Sequence, residues 1–216
     1  NYVMLEWGQP CHAFDKDTLR PAQGGTSSIE VRLAKKGEKL LALDGNTYDL
    51  DPRTLVIADR ARPIAIAGIM GGEETGVHAD TKNIIFEIAN FDPAQVRKGE
   101  HALGLSSDSS ARFNKGLPAQ LPECAAARLV ALAQEIAGGE VVAVADHHGA
   151  KPKSASIAIR PEAISRKLGV ALGSARITSY LSRLGFSVSS GKVLRAQVPW
   201  WRASDIEGEH DIAEEV

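Results

Sequence analysis

The segment 62–91 constrains the fold most, because it combines two short apolar runs with a glycine-rich turn. The first run leads into Gly68, Gly71 and Gly72, and the second begins after Asn83. Short apolar runs bounded by glycine are typical of β-strands joined by turns. Glycine adopts positive φ easily and leaves backbone N–H groups open to a ligand. The segment therefore predicts two strands and a turn that a ligand can approach.

Glu87 is the unexpected residue of the second strand. Alternate side chains of a strand face opposite sides, so Glu87 shares one side with Ile85 and Ala89. A carboxylate with apolar neighbours costs free energy unless it has a partner. Two interpretations stay open at this point. Glu87 is either a structural carboxylate, ion-paired or on an exposed sheet face, or a group that binds a ligand.

The composition describes an ordinary globular protein. The chain has 216 residues, 44% of them hydrophobic, and a formal net charge of -2, which does not predict nucleic-acid binding. No apolar run approaches membrane-spanning length, and no segment resembles a signal peptide. Cys11 and Cys124 lack the spacing of a metal site, so we expect reduced thiols in a cytoplasmic protein. The chain starts at Asn1 and stops inside a helix-like run, so we expect a piece of a longer protein.

The first 150 residues predict an α+β domain with a mixed sheet. Strands are expected over 28–34 and 54–58, with a hairpin around Asp44-Gly45. Asp92-Pro93 predicts the start of a helix, because Asp is a good N-cap and Pro fits the first helical position. A serine-rich segment follows, which either caps a helix or surrounds a polar ligand with hydroxyl groups. After it, the sequence predicts a long helix over 118–137 and a strand over 140–145.

The segment 150–156 is typical of a linker, and we expect a second domain over 151–216. Its pattern predicts a strand, two helices over 161–168 and 174–184, and a hairpin that includes Ser190-Gly191. Two helices followed by a hairpin indicate a small winged-helix-like domain, truncated at its C-terminal end.

The chain ends in an acidic tail (residues 205–216). If the last turns are helical, Asp211 meets Glu214 and Glu215, and Asp205 lies just before that helix. Carboxylates placed this way repel one another unless a hard cation neutralises them. A solvated acidic face is the commoner fate of such runs, and the spacing alone favours it over a metal site.

Four stretches together resemble a known family, the beta subunit of bacterial phenylalanyl-tRNA synthetase. They are Gly8-Gln-Pro-Cys-His-Ala-Phe-Asp15, Gly68-Ile-Met-Gly-Gly-Glu73, Gly104-Leu-Ser-Ser-Asp-Ser-Ser-Ala-Arg-Phe113, and Pro199-Trp-Trp-Arg202 with its acidic tail. They follow one another in the order of the family and span nearly the whole chain. The resemblance implies that residues 1–150 form the editing domain and that most of a winged-helix-like domain follows.

The resemblance also implies a set of site residues and partners. A lone histidine is more often structural, but His12 and Glu87 match residues of the family's editing site. Gly68 and Gly71 match the pocket wall, and Ser107 and Ser109 match substrate-binding positions. The implied magnesium ligands, shared with the alpha subunit, are Asp205, Asp211, Glu214 and Glu215. The implied partners are tRNA(Phe) and the alpha subunit, in a heterotetramer of two alpha and two beta chains. ATP is used by the whole enzyme rather than bound by this chain.

Editing has a physical reason in this family. A hydrophobic synthetic pocket rejects an added hydroxyl group by only about 10²-fold, so a second site removes tyrosine attached to tRNA(Phe). Glu87 would accept the phenol proton, and water would attack the ester directly, because no Ser-His-Asp or Cys-His constellation is evident. The alternative is a structural or tRNA-docking module whose editing activity has decayed.

Overall fold

The computed structural model describes residues 1–20, 28–147, 149, 155–189, 191 and 193–216. These residues form two compact units, Asn1–Leu117 with Leu121–Val142 and Pro118–Gln120 with Ala143–Val216. Helices and antiparallel sheets confirm the α+β class, with antiparallel strand pairs where a mixed sheet was expected. The linker predicted over 150–156 lies mostly outside the described residues. No helix of the described part combines the length and the apolar run that a membrane crossing requires.

Short antiparallel strands build the first unit. Four of them form one sheet in the order β2-β5-β6-β7, while β3 pairs with β4 and β1 pairs with β8. The β3–β4 hairpin turns at Asp44-Gly45, where Gly45 has a φ of 81°, so this prediction is confirmed. The strands are β1 (His12–Asp15), β2 (Glu30–Leu33), β3 (Lys39–Leu41), β4 (Thr47–Asp49), β5 (Leu55–Ala58), β6 (Pro63–Ile66), β7 (Met70–Gly71) and β8 (Ile84–Glu87).

Four helices accompany these strands: α1 (Tyr2–Trp7), α2 (Pro93–Leu103), α3 (Asp108–Phe113) and α4 (Leu121–Ala137). The predicted start of α2 is confirmed, because the Asp92 side chain accepts a hydrogen bond of 2.9 Å from the Gln95 N–H. The buried core joins apolar residues of β1, β5 and β6 to Val96 of α2 and Phe113 of α3. Helices α2 and α3 therefore pack on the same core as the glycine-rich hairpin β6–β7.

The strand predicted over 140–145 is wrong. No strand is formed over 140–147, and the side chains of Val142 and Val144 are 90% and 84% exposed. A run of β-branched residues forms a strand only where a neighbouring strand offers backbone partners and a surface to pack on. Among the described residues, no strand pairs with this run.

The second unit contains β9 (Ser156–Ile159), α5 (Pro161–Leu168), α6 (Ser174–Arg183), β10 (Ser187–Ser189), β11 (Leu194–Gln197) and α7 (Glu209–Glu214). The three strands form an antiparallel sheet in the order β10-β11-β9. Ile164 of α5 and Ile177 and Leu181 of α6 are fully buried. Two helices followed by the β10–β11 hairpin give the order expected of a winged-helix-like unit; Ser190, in the predicted turn, lies outside the described residues.

Candidate editing site

The pairing of β1 with β8 places two candidate residues opposite each other. The antiparallel register aligns His12 with Glu87 and Phe14 with Ile85. Directly opposed residues of an antiparallel pair carry their side chains on the same face of the sheet. Phe14 is fully buried, and its ring meets the His12 ring edge-on with the centroids 4.5 Å apart. His12 and Glu87 therefore lie together on the face that packs against the core.

Glu87 occupies an apolar environment. Ile85 and Ala89, on the same side of the strand, pack against the hydrophobic core. Burial raises the pKa of the Glu87 carboxyl from its usual 4.5 to about 7, because the charged form loses hydration. The carboxyl group is therefore poised between its neutral and ionised forms at neutral pH. A group tuned this way is typical of functional sites, where a perturbed pKa matches the chemistry required.

His12 has a free ring nitrogen. Burial lowers the pKa of the imidazole below its usual 6.5, so the ring is neutral at pH 7. Its buried Nε2 atom has no hydrogen-bond partner among the described residues. A buried polar atom without a partner costs free energy, which a ligand or water molecule would recover by binding there. The Nε2 atom of the ring is therefore a buried hydrogen-bonding group that is left unsatisfied by the described residues.

Gly71 makes room for the His12 ring. A Cβ atom added at Gly71 would lie 2.3 Å from His12 Cε1 and 2.7 Å from Nε2, closer than atoms can approach. At the tip of the same hairpin, Gly68 has a φ of 72°, a left-handed conformation that favours glycine. A Cβ atom there would also lie 3.0–3.1 Å from the side chains of Phe91 and Phe113. Both glycines are required by these close contacts.

Ser107 and Ser109 are hydrogen-bonded to the tip of this hairpin. The Ser107 hydroxyl donates a hydrogen bond of 2.6 Å to the Ile69 carbonyl, and the Ser109 hydroxyl donates one of 3.0 Å to the Gly68 carbonyl. Ser107 also caps α3 by accepting a bond from the Ser110 N–H. The two hydroxyl groups therefore anchor the hairpin tip to the start of α3. The helix-cap alternative is confirmed for Ser107, and contact of these serines with a ligand stays a prediction.

Gln9 is a further residue of the site, which was not predicted from the sequence. This residue is fully buried, and its Nε2 atom donates hydrogen bonds to the carbonyls of Ala89 (2.8 Å) and Pro10 (2.9 Å). It fastens the segment before β1 to the end of β8, so it holds the strand that carries His12 against the one that carries Glu87. The available signal was its place in the Gly8–Asp15 motif, next to His12.

Cys11 is not an activated nucleophile. Burial raises the pKa of its thiol to about 11, with a smaller contribution from the charge of Glu87. The thiolate is the reactive form of cysteine, and it is scarce at neutral pH under these conditions. The site therefore carries a neutral imidazole and a buried carboxyl group, with no activated thiol among its described members.

The four candidate metal ligands of the acidic tail do not converge. Asp205 and Glu215 both accept hydrogen bonds from Arg202, whereas Asp211 accepts backbone N–H groups at the start of α7. Among the described residues, no group of three or more His, Cys, Asp or Glu side chains is arranged to hold a metal ion. In this arrangement the residues do not fit Mg²⁺, which takes six oxygen ligands at about 2.1 Å. Magnesium binding stays a prediction.

Replacing Glu87 by glutamine should raise the free energy of unfolding at pH 8 by about 2 kcal/mol and leave it unchanged at pH 4.5. The raised pKa means that the folded chain binds this proton more tightly than the unfolded chain. The free energy of unfolding of wild type therefore falls as the pH rises from 4.5, the usual pKa of the group, through about 7, its pKa in the folded chain. Thermal or urea unfolding of both proteins between pH 4.5 and 8 measures the difference.

Glu30→Gln is the matched control, because Glu30 is also a strand carboxylate but is exposed. Its effect on stability should be small at every pH. An equal effect of Glu87→Gln at pH 4.5 and pH 8 would contradict a carboxyl whose pKa is raised by burial.

Comparison with known proteins identifies the family. The family profile described as "B3/4 domain" matches residues 1–138, and the profile described as "tRNA synthetase B5 domain" matches residues 157–216. The whole chain aligns with proteins named phenylalanine–tRNA ligase beta subunit. The one from Gloeobacter violaceus is 40% identical over 217 residues, that from Vibrio cholerae 42% over 219, and that from Nitrosococcus oceani 43% over 220.

The chain spans about a quarter of the length of these curated relatives, 27% in each of the three. Among solved structures, an N-terminal fragment of the phenylalanyl-tRNA synthetase beta subunit from Pyrococcus horikoshii aligns with 99% of this chain and 62% of its own, at 18% identity and a TM-score of 0.49. The B3/4 profile covers more than half of the chain. The three curated relatives align with the whole chain, and all three carry the same name. The chain therefore belongs to the phenylalanine–tRNA ligase beta-subunit family and matches its B3/4 and B5 domains.

Proposed function

We propose that the first unit is an editing module that hydrolyses Tyr-tRNA(Phe). The observation that supports it is the pair formed by the buried Glu87 carboxyl and the His12 ring, whose Nε2 atom lacks a partner among the described residues. The His12 ring borders Gly71, in the hairpin that the serines anchor. A phenol can donate a hydrogen bond to Glu87, whereas a phenyl ring cannot. Glu87 is thus the proposed group that distinguishes tyrosine from phenylalanine.

His12 is the proposed general base. Its neutral imidazole can accept a proton at Nε2 from the water molecule that attacks the ester carbonyl. The new C–O bond forms as the carbonyl becomes an oxyanion, and the ester C–O bond then breaks. The proton passes from His12 to the ribose oxygen that leaves, so tyrosine and intact tRNA are released. The backbone N–H groups of Gly68 and Gly71 are the proposed donors to the developing oxyanion.

The wider assembly is part of the same proposal. The relatives are named as beta subunits of a ligase, which implies an alpha-subunit partner and tRNA. We propose a cytoplasmic enzyme of two alpha and two beta chains that charges tRNA(Phe) with phenylalanine at the expense of ATP. In that enzyme the alpha subunit carries the ATP chemistry, and this chain carries the correction of errors.

The test is deacylation by the complete ligase that contains this chain. Preformed Tyr-tRNA(Phe) should lose its amino acid at least about tenfold faster than Phe-tRNA(Phe), because one charge-assisted hydrogen bond is worth about 1.5–3 kcal/mol. The two esters are compared with and without enzyme, and the released amino acid is measured. Release of tyrosine at the uncatalysed rate would instead favour the alternative function, a structural or tRNA-docking module.

A further inference from the structure

We infer that Arg202 is the cation of the acidic tail, so that a divalent cation has to compete with its guanidinium for Asp205 and Glu215. This inference concerns the second unit and does not depend on editing in the first. In this arrangement two carboxylates of the tail are paired with a guanidinium of their own unit.

Arg202 joins the two ends of the tail. It ends a short 3₁₀ helix over Trp200–Arg202, and its Nε atom donates a hydrogen bond of 2.8 Å to Asp205 Oδ2. Its Nη2 atom donates one of 2.5 Å to Glu215 Oε1. The side chains of Arg202 and Glu215 are 27% and 16% exposed, so solvent screens this pair less than a surface pair. Charge-assisted bonds of a guanidinium are strong and directional, and these occupy one carboxylate oxygen of each partner.

The other two candidate ligands have separate surroundings. Asp211 Oδ2 accepts hydrogen bonds from the N–H groups of Glu207 (2.8 Å) and Gly208 (2.9 Å), and its Oδ1 atom lies 3.3 Å from His210 Nε2. Asp211 Oδ2 is therefore engaged at the start of α7, where a carboxylate interacts favourably with the helix dipole. Glu214 is exposed on the last turn of α7.

A second arginine neutralises another carboxylate of this helix. The Arg160 side chain donates to Glu209 with an Nη2–Oε2 distance of 3.2 Å, and its backbone N–H donates to Glu209 Oε1 at 2.8 Å. Residues 199–216 contain one arginine and six carboxylates: Asp205, Glu207, Glu209, Asp211, Glu214 and Glu215. Three of these six are thus paired with arginine, and a fourth caps the helix. Mg²⁺ would have to displace Arg202 before Asp205 and Glu215 could turn towards it.

A magnesium titration of the 216-residue chain at constant ionic strength tests this. The midpoint of thermal unfolding of the second unit should not change in wild type between zero and about 10 mM MgCl₂. Arg202→Gln should unfold at a lower temperature without magnesium and regain part of the loss, in a saturable way, as magnesium is added. Arg160→Gln is the matched control, because it breaks the other arginine–carboxylate pair of α7 and should show no recovery with magnesium.

Two results would overturn the inference. One is a saturable magnesium-dependent stabilisation of wild type that Asp205→Asn abolishes, since it would mean that the ion binds with Arg202 in place. The other is an Arg202→Gln protein that folds but does not respond to magnesium.

A measurement on wild type alone covers the case in which Arg202→Gln does not fold. Mn²⁺ broadens the NMR signals of amides close to its binding site. Addition of Mn²⁺ to the wild-type chain should leave the amide signals of 205–216 no more broadened than those of other exposed segments. Selective broadening of the tail would contradict the inference.

Discussion

Replacing Glu87 by alanine in the complete ligase should slow hydrolysis of Tyr-tRNA(Phe) by about ten- to hundredfold. The ionised carboxylate accepts a hydrogen bond from the phenol, and a charge-assisted bond of this kind is worth about 1.5–3 kcal/mol. The variant loses this bond, so tyrosine and phenylalanine become nearly equivalent to the pocket. The measurement is the deacylation rate of preformed Tyr-tRNA(Phe) in wild type and variant, together with the accumulation of mischarged product.

The pH dependence separates this role from a structural one. Because burial raises the pKa of Glu87 to about 7, the ionised fraction falls as the pH falls through 7. The preference of wild type for Tyr-tRNA(Phe) over Phe-tRNA(Phe) should therefore decrease from pH 8 to pH 6, and Glu87→Gln should show no such decrease. Glu30→Ala, the exposed control on β2, should behave as wild type. A wild-type rate of Tyr-tRNA(Phe) deacylation in Glu87→Ala would mean that Glu87 is structural.

Alternation along the chain was enough to orient Glu87. The pattern of β8 assigned it to the side of Ile85 and Ala89, and these two residues do pack against the core. The hairpin at Asp44-Gly45 and the cap of α2 were predictable for a similar reason. Each depends on residues within a few positions of one another, so local stereochemistry decides it.

Contacts between distant segments could not be read from the same patterns. The hydroxyls of Ser107 and Ser109 reach carbonyls 38 and 41 positions earlier in the chain. Nothing in the serine-rich segment distinguishes such an anchor from a ligand contact, because a hydroxyl group serves either purpose. The pairing of Arg202 with Glu215 could not be predicted, for a related reason. The spacing of the carboxylates shows which of them share a helix face, but it does not show which of them pair with Arg202.

Gly72 shows that neighbouring glycines have different requirements. A Cβ atom there would lie 2.6 Å from the backbone carbonyl oxygen of Ile64, an atom that cannot move without the strand. At Gly71 the obstructed group is the His12 side chain, which can rotate at the cost of its packing on Phe14. Gly72 is therefore required for the backbone geometry of the sheet, and Gly71 is required for the position of the His12 imidazole.

Gly71→Ala should consequently impair editing more than folding. The added methyl group forces the His12 ring away from its place opposite Glu87, and a displacement of about 1 Å in a reacting group costs about 10²-fold in rate. The cost in stability should be about 1–3 kcal/mol, as for other overpacked sites. The measurements are the rate of Tyr-tRNA(Phe) deacylation and the unfolding midpoint of the same preparation. Gly173→Ala is the control, because a Cβ atom at Gly173 meets nothing within 4 Å. A Gly71→Ala protein that folds and deacylates at the wild-type rate would exclude His12 as the general base, because the ring cannot keep its position beside an alanine.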